Sequence, residues 1–161
     1  MRTTVFALAI AATALAGLAA AQSKPNFAGA WTPVPDAGTD PRATAITIHQ
    51  TTAELVIEGA SGRKSTYKLD GSPSTNTIPE RGGDPPTVAV SNAAWDGNKI
   101  VIQTQITRGV APNLRTIHYR QVYSLDADGR LILEESATLG DGGPTDTRKV
   151  VFKRKLVMGN W

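Results

Sequence analysis

The chain has 161 residues, 17 basic against 14 acidic, no cysteine, and a hydrophobic share of 40%. A net charge of +3 is too small to point to nucleic acid, whose phosphate backbone calls for a concentrated basic face. Without cysteine there is no disulfide framework, so burial of apolar surface must hold the fold unaided.

Met1 to Ala21 has the layout of a secretory leader: Arg2 ahead of an apolar run from Val5 to Leu18, then the small residues Ala19-Ala20-Ala21. The alternative, an uncleaved membrane anchor, calls for a longer apolar run. Cleavage before Gln22 leaves residues 22–161, about 140 residues and the size of one domain. Such a product is exported to the periplasm or beyond and keeps no membrane-spanning segment.

Gln22 to Pro25 reads as a loose lead-in to Asn26-Phe27-Ala28-Gly29-Ala30-Trp31. Pro33, Pro35, Gly38 and Pro41 follow as an irregular connection, too proline-rich for the interior of a sheet. Thr44 to Gln50 alternates, with Ile46 and Ile48 on one face and His49 on the other. Glu54 to Glu58 repeats the pattern with Leu55 and Ile57, and Lys64 to Leu69 returns after the turn at Gly59 to Gly62. Asp70 to Pro86 carries glycines and prolines without periodicity. It reads as one long loop, functional or mobile.

Val88 to Ile106 folds back at Asp96-Gly97, a strong hairpin signal. Setting Val90 opposite Thr104, Val88 opposite Ile106 and Asn92 opposite Ile102 gathers the apolar side chains on one face and turns Ser91, Lys99, Gln103 and Gln105 outward. Leu114 to Leu125 and Arg130 to Leu139 form the next hairpin across Asp126-Ala-Asp-Gly129. That tetrad lacks the further ligands of a calcium loop and reads as a turn. Thr147 to Leu156 is the last strand, its basic residues forming a mostly solvated face.

No window carries a capped helical repeat. Eight or nine short strands joined to sequence neighbours predict an all-β, antiparallel up-and-down meander closed as a barrel, with a two-sheet β-sandwich as the alternative. An outer-membrane barrel is disfavoured because Lys99, Gln103, Gln105, His118 and Arg120 would meet lipid.

Chemistry is sparse. His49 and His118 both point away from the apolar faces, and neither a zinc set nor a nucleophile elbow is present. In the Leu114–Leu139 hairpin, pairing Ile117 with Leu139, Tyr119 with Ala137 and Tyr123 with Leu133 sets Gln121 opposite Glu135 amid apolar neighbours. Either the two polar groups satisfy each other or lie in a splayed end, or they are the few polar groups of an apolar ligand cavity. An inward Glu135 needs a partner, and the nearest basic candidate that alternation puts on the same face is Arg115, several residues away. The candidate ligand-binding residues are Tyr119, Gln121, Tyr123, Glu135, Asn92 and Thr104.

Gly29-Ala30-Trp31 ahead of a strand meander, with Tyr67-Lys-Leu-Asp-Gly71, Arg81-Gly-Gly83, Ala94-Trp-Asp-Gly97, Tyr123-Ser-Leu-Asp126, Asp128-Gly129-Arg-Leu and a final Phe152-Lys-Arg, resembles lipocalins and the wider calycin group. It is similar in particular to small exported bacterial proteins with lipocalin-like domains. The resemblance implies a β-barrel in which Trp31 closes one end and packs on a basic residue of the last strand, here Arg154.

The expectation is a binding protein rather than an enzyme, taking a small, mostly apolar ligand inside the barrel, gated by the 70–86 loop, with no cofactor and no metal. The alternative is a protein-interaction or inhibitor module whose barrel is filled.

Overall fold

The computed structural model describes residues 23–35, 39–79, 86–109, 112–140 and 142–155. The leader at 1–21 and the Arg81-Gly-Gly83 motif lie outside them. Ten antiparallel strands make one sheet: β1 (Gly29–Pro33), β2 (Ile46–Gln50), β3 (Glu54–Gly59), β4 (Lys64–Lys68), β5 (Asp70–Ile78), β6 (Thr87–Asp96), β7 (Lys99–Arg108), β8 (Arg115–Leu125), β9 (Leu131–Leu139) and β10 (Thr145–Arg154). Their spatial order is β4-β3-β2-β1-β10-β9-β8-β7-β6-β5. Every step but one joins sequence neighbours, and β1 pairing with β10 curls the meander into a nearly closed barrel.

The tenth strand is β5, a correction to the expected 70–86 loop over residues 70–78, while 80–85 lie outside the described residues. Its first half carries Gly71 and Pro73, and its pairing to β6 shifts between Asp70 and Pro73. Proline is tolerated in a sheet where no ladder hydrogen bond is asked of it, as at an edge or a bulge. Here β5 is such an edge, for β4 and β5 share no backbone ladder. Side chains close the seam between them. Asn76 accepts the Thr66 N–H at 2.8 Å and donates to the Thr66 carbonyl at 3.0 Å, and the Ser74 hydroxyl accepts the Lys68 N–H at 2.9 Å.

The β6–β7 register also departs from expectation, by one residue. Asp96 pairs with Lys99, Ala93 with Ile102, Ser91 with Thr104 and Ala89 with Ile106. The loop is therefore two residues, Gly97-Asn98, with Gly97 at φ 59°, whereas the expected pairing needs three. The shift turns Asn92 and Ala94 outward and leaves Val88 and Val90 exposed. It brings Trp95 inward, against Phe27 at 5.9 Å between ring centroids. Burying much of a large indole offsets two half-exposed valines.

The core fills one end. Phe27, Trp31, Ile48, Leu55, Ile100, Ile102, Leu131 and Phe152 are all at most 2% exposed. The 23–28 segment, its residues up to Pro25 expected as part of a loose lead-in, is the plug at that end. Gln50 holds it, accepting the Phe27 N–H and donating to the Pro25 carbonyl.

Candidate functional site

Two places in the barrel carry the side chains singled out from the sequence. At the filled end, Trp31 and Arg154 are opposite each other in the β1–β10 register. The Arg154 guanidinium carbon lies 4.4 Å from the Trp31 ring centroid, and its nitrogens donate to the carbonyls of Ala28 and Asn26. Trp31 is itself buried, its Nε1 donating to the Phe27 carbonyl at 2.8 Å. The expected stack is present. Arg154 is the exposed lid of that stack rather than a side chain inside the barrel.

At the opposite end the barrel is hollow. A cavity of about 270 Å³ opens at the mouth between the turns that follow β3 and β7. The register of β6 makes the space, because Ala89 and Ser91 face it where Val88 and Val90 would fill it. Tyr119, Gln121, Glu135 and Thr104 line this cavity, so four of the expected ligand-binding residues come together. The other two do not. Asn92 is exposed on the outer face and donates to the Gly71 carbonyl, a consequence of the shifted register. Tyr123 is 3% exposed and belongs to the core below the cavity.

Gln121 and Glu135 pair across β8 and β9 as expected, with Gln121 Nε2 donating to Glu135 Oε2 at 2.7 Å. The cation that meets Glu135 is Arg148, not Arg115. Arg148 stands opposite Glu135 on β10 and its Nη2 lies 2.8 Å from Glu135 Oε1. The two glutamate oxygens thus have separate partners, and its side chain is 11% exposed. Sequence alternation alone could have found Arg148, because it shares the inner face of Val150 and Phe152. Reading the last strand's basic residues as one solvated face hid it.

Arg148 also faces Asp40, with Nη1 3.7 Å from Asp40 Oδ2. Asp40 belongs to the proline-rich connection, whose backbone lies along β10 where β1 has ended, Asp40 donating its N–H to the Lys149 carbonyl. Hydrogen bonds from the Arg42 side chain and backbone hold the Asp40 carboxyl down at about 2. Burial opposes the charge on Arg148, and the carboxylates of Glu135 and Asp40 outweigh it, raising its affinity for the proton. Arg42, Asp40, Arg148, Glu135 and Gln121 form one continuous polar chain from the outer surface to the cavity wall. Burial pushes the phenols of Tyr67 and Tyr123 upward, so both are neutral donors at ordinary pH.

His49 and His118 are exposed on the outer face. The described residues include no group of three or more His, Cys, Asp or Glu placed to hold a metal ion. At Asp126 the carboxylate accepts the N–H groups of Asp128 and Arg130 at 3.0 and 2.9 Å, the geometry of a side-chain-supported turn. No known protein family matches the chain, and no curated protein matches it either.

Proposed function

We propose that this protein is an exported, lipocalin-like barrel that binds a small molecule in its mouth cavity and does not catalyse a reaction. The carrying observation is the division of the interior into a packed half and a hollow half. Close packing is the default for a protein interior, and a 270 Å³ space walled by ordered polar groups departs from it. Concave sites with a few fixed polar groups are where small ligands bind. The Gln121–Glu135–Arg148 chain holds its members in one geometry before any ligand arrives, which lowers the ordering cost of binding.

The lining supports a less apolar ligand than expected. Ala89, Ile78 and Ile106 make an apolar side to the cavity, but Arg63, Arg108 and Arg148 also line it, so the ligand is partly polar. The first part of the expected 70–86 gate, 70–78, is a strand of the wall instead. Lipocalin kinship rests on the Trp31–Arg154 stack within an up-and-down barrel.

Native mass spectrometry of the protein purified from its own cells tests the reading. The expected result is a chain beginning at Gln22 that carries a non-covalent adduct of small mass, released on unfolding. A bare chain, or one recovered with a stoichiometric protein partner, would favour the interaction-module alternative.

A further inference from the structure

We infer that the ligand of the mouth cavity is a small organic anion whose carboxylate is received by the Arg63 guanidinium at its rim, an inference that rests on the small-molecule reading above. The argument is an imbalance between donors and acceptors. Among the described wall residues Glu135 is the single carboxylate, against the three arginines Arg63, Arg108 and Arg148. Both Glu135 oxygens are already engaged, one by Gln121 and one by Arg148. A cationic ligand would have to break one of these to reach it.

Several other acceptors of the wall are engaged as well. The Asn76 amide is committed in both directions to Thr66, and the Ser91 and Thr104 hydroxyls bond each other at 2.8 Å. The Arg63 guanidinium and the Tyr119 hydroxyl, by contrast, make no hydrogen bond or ion pair with a described residue. With Arg108 set aside and Arg148 neutralised by Glu135, the wall still carries the charge of Arg63. The Arg63 guanidinium can only donate and the Tyr119 hydroxyl can donate beside it, so the pair matches a ligand that accepts, and a planar guanidinium takes a carboxylate through two parallel hydrogen bonds.

Size narrows the class. The cavity's 270 Å³ is the volume of about nine waters at roughly 30 Å³ each. That fits a compact acid of about ten non-hydrogen atoms, its body against Ala89, Ile78 and Ile106, and not a long acyl chain.

Benzoate and benzamide test this, since they share a size and a ring and differ in charge. Titrating each into isotope-labelled protein and following amide NMR shifts should place benzoate at Ala89, Ile106 and Tyr119. Its Kd should be at least tenfold below that of benzamide. Arg63→Gln, in an exposed turn, should keep the spectrum of a folded protein and lose most of that preference. Equal binding of the two probes, or an unchanged preference in Arg63→Gln, overturns the anion inference and leaves a small-molecule cavity standing. Shifts from neither probe at the cavity residues overturn both readings.

Discussion

Gly29 stands two places before Trp31 for a steric reason. Its φ is +138°, and a Cβ there would lie 2.8 Å from Arg154 Nη1, so any side chain would push the guanidinium off the indole. Gly29→Ala should cost about 1–3 kcal/mol through backbone strain alone, and loss of the stack adds about 0.5–2 kcal/mol. Urea unfolding measures the sum, and Arg154→Lys should reproduce only the second part, since an ammonium keeps charge without the planar stack. Equal stability of Gly29→Ala and the parent would disprove the account. Asp40 is a second residue with a definite expectation. Hydrogen bonds from Arg42 hold its folded carboxyl down at about 2, below the usual aspartate value of about 3.9. A depressed folded value means the contribution is fully present above about pH 4 and lost as pH falls through about 2. Asp40→Asn should therefore be less stable than the parent at pH 6, and the gap should close between pH 4 and 2 in thermal melts. A gap that persists at pH 2 would assign the effect to packing instead.

The strand β5 is the element whose sequence misleads most. Ser74 and Asn76 look like loop residues because polar side chains compete with the backbone for hydrogen bonds, and at the β4–β5 seam that competition is what joins the strands. Each neutral bond contributes about 1 kcal/mol, so Asn76→Ala should cost about 1–2 kcal/mol. Its local signature is faster hydrogen exchange at Thr66, with exchange in β7 and β8 unchanged apart from the global shift. Unaltered exchange at Thr66 would mean the seam is held by the side-chain packing of Tyr67 and Leu69 instead. The β6–β7 hairpin shows the converse case. Both registers place some apolar residues inside, so alternation could not choose between them. The two-residue turn and the inward Trp95 did, and the hollow mouth follows from that choice.

At the scale of the molecule the packed end supplies stability and the open end supplies the site, so mutations should separate the two. Phe27→Ala, at 0% exposure, removes the plug and should cost about 3–5 kcal/mol while leaving the cavity wall in place. Glu135→Gln should cost only about 1 kcal/mol, because Arg148, 42% exposed, can turn to water. It should nevertheless change ligand binding severalfold by releasing Arg148. The reverse ranking in denaturant titrations would show that the polar chain, not the packed end, holds the barrel. The sequence alone determined the all-β class, the strand faces around Ile48, Leu55 and Phe152, the Trp31–Arg154 stack, and the β8–β9 register that joins Gln121 to Glu135. Apart from the stack, which the resemblance implied, these follow from alternation and turn chemistry, which act between near neighbours. The tertiary structure decided that Arg148 meets Glu135, that β5 closes the wall through side chains, that Asn92 faces out, and that Ala89 and Ser91 leave a cavity. Each of these depends on which distant strands curl into contact and on how a single-residue choice of register fills or empties the space between them, and neither is written in the periodicity of any one segment.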